Sequence, residues 1–480
     1  MPLPVNKQLN ALWNQSKQFP SVHRKKFARL TALLLGLLFT AACASNATMR
    51  GDVLDAETSL ETFDQVWNQV RTQYFDYPRI EQDWLTTRDE LRPRAAAAKT
   101  AAELRSLLNE MLDRVGESHF AVLPPTGVSA ARTDDETVTI DVPNVASGLG
   151  VRLINDALIF DRVGEWNSDL IEPGWELTAI GKQRIDSLIE ETLNTDDPVA
   201  RERAELYLEA SANGRIGFPQ KGEELRLTVR NAAGVERTIQ ARTGSDEVSI
   251  FQIGNLPGLP FSYQAEIINS GFDSGSSSQK NCIGRMTFST WVPDLMDRFM
   301  ESRESLFACQ GLVIDLRGNL GGVLTTMMPL SGHLFDEMIL LGQLKRNDGR
   351  IDFRAFPRRV AVDGTRLTPY DGPVAILIDS LSASTSEMFT SGLQAQGRAR
   401  VFGTQSPGMA LPAQILPLAN GDRLMYAFAD YIDGEGRRIE GIGVVPDEVI
   451  EPTRESVSSG RDAVLESAIR WIRSESRTAR

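Results

Sequence analysis

Short apolar segments alternate with helical segments from residue 283 onwards, and this alternation constrains the fold more than any other feature of the chain. Strands are predicted at residues 283–288, 311–316 and 374–378. Helices are predicted at residues 292–307, 325–335 and 385–396. A strand followed by a helix is the repeating unit of a layered α/β sheet. Residues 246–480 are therefore expected to form an α/β core.

The first part of the chain has a helical pattern instead. Between residues 57 and 114, apolar side chains such as Phe63, Val66 and Trp67 recur at spacings of three and four, which predicts amphipathic helices. Residues 44–135 are accordingly expected to form a polar tether and an N-terminal helical segment.

Residues 136–245 change to short alternating runs separated by glycine turns, which predicts a β-rich domain. A helix is predicted from Ile185, a helical insertion near 196–213 and a hairpin turn at 231–234. The polar residues 263–281 are expected to form a mobile surface loop.

The 480 residues carry a formal net charge of −13, from 51 basic and 64 acidic side chains. A nucleic-acid-binding protein usually presents a basic surface, so that class is disfavoured. The three cysteines do not have the spacing of a zinc site, and three histidines make a His-rich metal site a poor interpretation. No metal or cofactor is expected.

The N-terminal 43 residues contain six basic side chains, no acidic ones, and an apolar run at 30–42. As a helix this run would be about 20 Å long, which is shorter than a bilayer core of roughly 30 Å. A basic flank, a short apolar run and small residues are typical of a secretory signal. Its end resembles a bacterial lipoprotein box, which predicts lipidation of Cys43 and a place in the cell envelope, the periplasm. Plain secretion and an uncleaved anchor remain alternatives.

The other two cysteines, Cys282 and Cys309, each lie just before a predicted strand. An oxidising periplasm would permit a disulfide between them. Two buried free thiols fit the sequence equally well.

The sharpest local feature is the segment 378–387, IDSLSASTSE, in which an apolar strand runs into small hydroxyl residues and then a helix. A serine at such a turn can present its hydroxyl beyond the carboxyl edge of a sheet, where the helix N-terminus favours developing negative charge. Ser384 is therefore a candidate nucleophile. The alternative is a plain capping box formed by Ser384 and Glu387.

A second strand ends in the glycine-rich turn DLRGNLGG at 315–322. Residues without side chains let backbone N–H groups approach a ligand closely, as an oxyanion hole requires. A simple tight turn is the alternative. A phosphate loop is excluded because no Gly-Lys-Ser/Thr follows.

Together with RIEGIGVVPD at 438–447, these motifs resemble the C-terminal-processing and tricorn-type serine peptidases over residues 57–450. The resemblance implies a ClpP/crotonase-like layered α/β core and a PDZ-like domain at 136–245. It implies peptides or unfolded protein C-termini as partners, with Gly148, Leu149 and Gly150 binding the peptide, and a membrane contact only through the lipid anchor.

The family has two catalytic branches. One uses a lysine after the serine helix, but Met409 stands at that position here, and no lysine follows Lys345. The other takes a histidine from a Ser-His pair in the helical segment, and Ser118-His119 matches that pair. His333 is expected only to pack.

The resemblance therefore implies Ser384 as nucleophile and His119 as general base, with a pKa near 7. Ser118 and Glu440 would orient the histidine, and Glu435 is a second candidate for the glutamate. The two oxyanion donors would be the N–H group of Thr385 and the N–H group of either Gly321 or Gly322.

The expected function is that of a secreted or membrane-anchored serine endopeptidase acting through an acyl-enzyme. The alternative is an inactive homologue that acts as a peptide-binding scaffold, which the missing lysine would suit.

Overall fold

The computed structural model describes residues 54–124, 147–195, 198–217, 224–243, 249–251, 259–269 and 282–478. The predicted signal segment, Cys43 and the first part of the tether lie outside the described residues. None of the helices in the described ranges is long and apolar enough to span a membrane.

The N-terminal helical segment contains three helices: α1 Ala56–Gln73, α2 Tyr77–Ala96 and α3 Ala101–Leu112. Asp55 caps the start of α1 and Thr100 caps the start of α3, each by accepting a backbone N–H. The apolar residues spaced by three and four are buried between the helices. The predicted helical pattern is confirmed.

A short 3₁₀ turn, Asp113–Val115, leads from α3 into strand β1, Ala121–Leu123. This strand pairs antiparallel with residues Arg423–Ala427, far along the chain. The helical segment also shares a hydrophobic core with Leu411 and Tyr426. The turn between α3 and β1 is thereby fixed against the C-terminal core, although it comes from the beginning of the chain.

The β-rich module, residues 147–243, is built on one antiparallel sheet in the order β2-β3-β4-β6-β7, with β5 on β4. Its strands are β2 Leu149–Ile154, β3 Ala157–Val163, β4 Glu176–Ile180, β5 Gln183–Arg184, β6 Leu225–Arg230 and β7 Glu236–Ala241. Its helices are α4 Ile185–Leu193 and α5 Pro198–Gly217, so the predicted helices are both present. The predicted hairpin turn joins β6 to β7.

The C-terminal core contains the remaining elements. Its strands are β8 Ser249–Phe251, β9 Leu259–Phe261, β10 Tyr263–Asn269, β11 Cys282–Phe288, β12 Gly311–Asp315, β13 Ile339–Arg346, β14 Gly349–Ala355, β15 Val374–Ile378, β16 Ala399–Gly403, β17 Ala413–Pro417, β18 Arg423–Ala427, β19 Asp430–Asp433 and β20 Glu448–Val449. Its helices are α6 Asp294–Phe307, α7 Met327–Ser331, α8 Thr385–Ala395, α9 Arg454–Ser458 and α10 Ala463–Thr478.

The central sheet has the order β10-β11-β12-β15-β16-β20, and only β10 runs antiparallel to its neighbour. Side chains alternate along its strands. Ile314 and Ile376 face the cluster that contains α6 and α8, whereas Val313 and Leu377 face α10. Helices on both faces of a mostly parallel sheet define a layered α/β fold, so the predicted fold class is confirmed.

The two-stranded sheet β8-β9 and two three-stranded sheets complete the core. One has the order β14-β13-β19, and its residues Leu341 and Leu344 join the hydrophobic cluster of the central sheet. The other has the order β1-β18-β17 and carries the N-terminal helical segment. This second sheet joins β1, from the N-terminal part of the chain, to β17 and β18 of the C-terminal core.

Two sequence predictions about the core are wrong. Residues 263–269 form edge strand β10 rather than a loop, because Tyr263, Ala265 and Ile267 alternate with polar residues in register with β11. Helix α7 ends at Ser331, so His333 lies beyond it. There is no space for a larger residue at Gly332, where a Cβ would be 2.3 Å from the carbonyl oxygen of Phe356.

The cysteines left open by the sequence are paired: Cys282 and Cys309 form a disulfide with their Cα atoms 4.8 Å apart. The bond joins the start of β11 to the turn that follows α6.

Candidate active site

Ser384 lies in the nucleophile turn, residues 379–384, between the end of β15 and the start of α8. Its backbone has φ 55° and ψ −117°, a conformation that costs free energy for a residue with a Cβ and that often marks a functional site. Within residues 381–390 only Ser384 is not buried. The turn therefore holds this one residue of the segment at a partly open surface.

The neighbouring serines of this turn serve the structure. The Ser382 hydroxyl donates to the Leu316 carbonyl at 2.8 Å. The Ser386 hydroxyl donates to the Asn319 carbonyl at 3.0 Å and accepts from the Trp291 indole at 2.9 Å. Both hydroxyls are thus engaged with the glycine turn or its surroundings, which leaves Ser384 as the candidate nucleophile of the three.

The glycine turn, residues 316–322, lies directly against Ser384. A Cβ on Gly321 would be 2.7 Å from the Ser384 Cβ and 3.0 Å from the Thr385 nitrogen. The Thr385 hydroxyl also donates to the Gly322 carbonyl at 3.0 Å. The Gly321 N–H donates to Asn319 Oδ1 at 3.0 Å, so among the predicted oxyanion donors this one already has an acceptor.

His119 lies at the end of the histidine turn, residues 115–119, where Gly116 and His119 both have positive φ, 74° and 62°. The ring is buried, and its Nδ1 is 2.7 Å from the Ser118 hydroxyl. Because one ring nitrogen is held in this way, the other, Nε2, is the atom left for substrate chemistry.

Glu440 completes a chain of three buried residues. Its Oε1 accepts the Ser118 N–H at 2.8 Å, and its Oε2 accepts the Ser118 hydroxyl at 2.9 Å. Oε2 also accepts the Ala410 N–H at 2.8 Å. The second candidate, Glu435, is exposed and pairs with Arg437. Glu440, rather than Glu435, is therefore the glutamate beside Ser118 and His119.

Glu387 forms the other half of the site, and sequence reasoning recognised it only as a helix cap. Its buried carboxylate accepts the N–H groups of Ser384 at 3.0 Å, Gly408 at 2.7 Å and Met409 at 2.8 Å, and the Ser406 hydroxyl at 2.6 Å. The last three donors lie 21, 22 and 19 residues downstream, so no local motif shows their contacts with Glu387.

Met409 and Ala410 link the two carboxylates, because these consecutive residues donate to Glu387 and Glu440 respectively. Ser384 is thereby connected to Ser118 through two buried glutamates and one peptide unit. Within the described residues no hydrogen bond joins the Ser384 hydroxyl to the His119 ring. The Met409 side chain is buried.

Burial shifts the pKa values of the site. Desolvation by burial lowers the pKa of His119 to about 4. The hydrogen-bond partner of the ring, the Ser118 hydroxyl, is neutral. The expected pKa near 7 is therefore wrong. Burial raises the pKa of Glu440 to about 8, with the nearby charge of Glu117 as the next cause. Burial also raises the pKa of Glu387 to about 7.

The predicted peptide-binding residues lie at the start of β2, the edge strand of the module. The Leu149 N–H donates to the Ser147 hydroxyl at 3.1 Å, Gly148 has φ 70°, and Gly150 pairs with Arg162. Further along the edge, the side-chain amide of Asn213 in α5 bonds both the N–H and the carbonyl of Val151, at 2.9 and 2.7 Å. Helix α5 thus occupies part of the edge on which a peptide would add.

His333 lies away from these residues. Its ring packs against Phe299, and its Nδ1 accepts from Arg303 at 3.2 Å. Burial, together with Arg303 and Arg358, lowers its pKa to about 4. These contacts agree with the expected packing role. The described residues contain no group of three or more His, Cys, Asp or Glu side chains that could hold a metal ion.

Comparison with known proteins identifies two segments. Residues 283–450 match the model of peptidase family S41, and residues 55–113 match that of the tricorn protease C1 domain. Residues 283–450 of this chain are therefore similar to peptidase family S41. The S41 segment contains the glycine turn, Ser384, Glu387 and Glu440, and family S41 is a family of serine peptidases.

Two curated relatives extend the S41 match. A carboxy-terminal-processing protease of Bartonella bacilliformis is 34% identical over 164 residues, which are 34% of this chain and 36% of that protein. A carboxyl-terminal-processing protease of Picosynechococcus is 23% identical over 430 residues, which cover 88% of this chain and 90% of the relative. The chain thus matches about a third of the first relative and most of the second.

Solved structures share the fold of this chain. The photosystem II D1 C-terminal processing protease has a TM-score of 0.50 at 18% identity, covering 85% of this chain and 98% of that chain. Mature CPAF has a TM-score of 0.54 at 13% identity, covering 84% and 94%. The similarity to each of these structures covers more than four fifths of the chain.

Proposed function

We propose that this protein hydrolyses peptide bonds through an acyl-enzyme, with Ser384 as nucleophile and His119 as general base. The observation that carries the proposal is the buried chain from Glu440 through Ser118 to His119 Nδ1. A histidine oriented through one ring nitrogen is the base that a serine nucleophile needs, because an unperturbed hydroxyl is weakly nucleophilic at neutral pH.

In the proposed reaction the Ser384 oxygen attacks the scissile carbonyl while His119 Nε2 takes the hydroxyl proton. The imidazolium then protonates the leaving amine, and a water molecule, deprotonated by the same nitrogen, releases the acyl group. When Glu440 is ionised, its carboxylate stabilises the imidazolium through Ser118. We also propose that Ser384 and His119 form a hydrogen bond when substrate binds. Catalytic hydrogen bonds are often long in the free enzyme.

The oxyanion would form beside the glycine turn. Since the Gly321 N–H already donates to Asn319, we assign the donors to the N–H groups of Gly322 and Thr385. The hydroxyl bond between Thr385 and the Gly322 carbonyl supports this pairing because it keeps the two backbone segments together.

Met409 supports histidine rather than lysine as the base. A thioether does not take up a proton at neutral pH, and the Met409 N–H is fixed to Glu387. A catalytically inactive scaffold is the alternative. In the described chain no hydrogen bond joins Ser384 to His119, and this observation favours the scaffold over an enzyme in which the two residues are already in contact.

We propose polypeptide C-termini as the substrates, because the relatives are carboxyl-terminal-processing proteases and one of these relatives is covered over 90% of its length. We also propose that the β-rich module is PDZ-like and binds peptide at Gly148–Gly150 on β2. A peptide extending along this edge has to replace the two Asn213 bonds to Val151.

Incubation of the full chain with a library of unfolded polypeptides, followed by mass spectrometry of the products, tests the proposal. New internal or C-terminal cleavage products that are absent with Ser384→Ala are expected. The structural serine variant Ser187→Ala, whose side chain is exposed, is the control. Binding of the polypeptides without cleavage by any variant would favour the scaffold.

We propose a location in the cell envelope with a lipid anchor at Cys43. The Cys282–Cys309 disulfide supports an oxidising compartment, and the basic and apolar N-terminal pattern supports export. Detergent phase partitioning of protein expressed in a bacterium tests the anchor. Wild type is expected in the detergent phase and Cys43→Ala in the aqueous phase, and equal partitioning of the two would contradict lipidation.

A further inference from the structure

Glu117 belongs to the histidine turn, and its carboxylate takes no part in the chemistry described above. Its Oε1 is 3.1 Å from Arg79 Nη2 of α2 and 3.1 Å from Arg438 Nη2. The side chain is 11% exposed. Glu117 thus joins the turn that carries Ser118 and His119 to the turn that carries Glu440.

Arg438 is held on several sides. Its Nε is 2.9 Å from Asp430 of β19, and its Nη1 donates to the Glu440 carbonyl oxygen at 3.3 Å. Its guanidinium therefore has a fixed position between Glu117 and the backbone of Glu440. Because the positive charge has a fixed position, it favours the ionised form of the Glu440 carboxylate.

The charge of Glu440 determines the direction of the hydrogen bonds that lead to His119. When Glu440 is ionised, the Ser118 hydroxyl donates to it and accepts the proton of His119 Nδ1, so Nε2 has a free lone pair. When Glu440 is protonated, its O–H donates to Ser118, and Ser118 donates to Nδ1. The ring proton is then on Nε2, which cannot act as a base.

Several charges face Glu440 from the elements packed around it. Glu117 on the histidine turn opposes its ionisation, and Arg438 on its own turn favours it. Arg79 of α2 and Asp430 of β19 pair with these two side chains. Glu387 lies on the far side of the Met409–Ala410 peptide unit, and His119 completes the set.

We propose that Glu117 and Arg438 are positioning residues that set the charge of Glu440 and thereby select the tautomer of His119. This inference rests on the proposed function, because it assigns a role within the same hydrolytic site. The two residues act in opposite directions: Arg438 promotes the tautomer with a free Nε2, and Glu117 opposes it.

The pH dependence of kcat/KM for peptide hydrolysis separates these roles from simple support of the fold. Glu117→Gln is expected to move the acid limb of the profile to lower pH, by about 1 unit, because it removes a negative charge beside Glu440. Arg438→Gln is expected to move the limb to higher pH by a similar amount, and Arg438→Lys to restore it in part. Shifts in the same direction, or none, would overturn the proposal.

Arg94→Gln is the matched control, because it breaks an ion pair with Glu110 at 2.9 Å on the exposed side of the helical segment. Its profile is expected to match that of wild type. If Arg438→Gln does not fold, as judged by circular dichroism, the shift of Glu117→Gln alone decides between the outcomes.

A second readout does not depend on activity. The full chain labelled with [¹⁵N]histidine reports the His119 tautomer by nitrogen chemical shifts, with resonances assigned from a His119→Gln variant. The proton is expected to move from Nε2 to Nδ1 as pH rises, at lower pH in Glu117→Gln and at higher pH in Arg438→Gln. A tautomer that does not respond to either variant would refute the inference. A responsive tautomer without hydrolysis would refute the proposed function alone.

Discussion

Glu440 accepts both hydrogen bonds that Ser118 donates, one from the backbone N–H at 2.8 Å and one from the hydroxyl at 2.9 Å. The glutamate follows β19 near the end of the S41 segment, and the serine precedes β1. The pairing of β1 with β18 brings these residues together. The third strand of this sheet, β17, follows the loop that contains Ala410, and the Ala410 N–H donates to the same carboxylate.

Ser118→Ala is expected to lower kcat by about 100-fold with little change in KM, because it disconnects His119 from Glu440 without removing a group that touches substrate. Steady-state hydrolysis of a peptide identified in the cleavage assay measures both constants. Ser187→Ala is the control, since its exposed side chain lies on α4 of the β-rich module. A rise in KM at constant kcat would argue for a role in substrate binding instead.

Gly321→Ala is expected to abolish serine reactivity and to destabilise the protein, because a Cβ there would lie 2.7 Å from the Ser384 Cβ. The positive φ of 98° adds strain of about 1 kcal/mol. Gly364→Ala provides a matched control with φ 87° and no atom within 4 Å of the added Cβ. Thermal unfolding and fluorophosphonate labelling compare the stability and the serine reactivity of the two variants. The difference in stability between them should far exceed the strain contribution. Equal effects of the two variants would mean that Gly321 does not contact the nucleophile turn.

Met409→Lys is expected to leave the His119→Gln variant inactive. The Met409 backbone is fixed to Glu387, and His119 rather than an amine accepts the Ser384 proton in the proposed mechanism. Hydrolysis by His119→Gln with and without the added lysine measures this directly. Recovery of a large part of wild-type activity in the double variant would show that the site works as a serine-lysine dyad.

Protonation of His333 should lower the free energy of unfolding in mild acid. Its folded-state pKa is lowered to about 4 from an ordinary value of 6.5, so the unfolded chain binds the proton first as the pH falls. The histidine contribution is present above pH 6.5 and is lost as pH falls towards 4, by up to about 3 kcal/mol. Urea unfolding of wild type and His333→Gln between pH 7 and 4 isolates it from the carboxyl groups. A stability difference between them that is independent of pH would contradict the lowered pKa.

The core was the most predictable part of the fold. Strands such as Val374–Ile378 consist of consecutive apolar residues because both faces of the central sheet are covered by helices. The strand-to-helix turn at Ser384 and the glycine turn could be predicted for the same reason, since each follows such a strand directly. Edge strand β10 was missed because it is short and polar in composition and because a Ser/Gly-rich run follows it.

The partners within the site were less predictable. The resemblance implied Ser118, His119 and Glu440. The roles of Glu117 and Glu387 depend instead on donors that lie 321 and 21 residues away, Arg438 and Gly408, and that meet them only after folding. Burial, which lowers the pKa of His119 from an ordinary value of 6.5 to about 4, also arises only when the helical segment packs on the core. Such properties belong to the tertiary structure and leave no local sequence pattern.

The rate at which a fluorophosphonate labels Ser384 tests the central claim, that His119 activates this serine, most directly. Wild type should be labelled, and Ser384→Ala should not. His119→Gln should be labelled at least about 100-fold more slowly, whereas His333→Gln, which alters the other described histidine, should be labelled at the wild-type rate. Labelling of His119→Gln at the wild-type rate would contradict the account, because Ser384 would then need no imidazole.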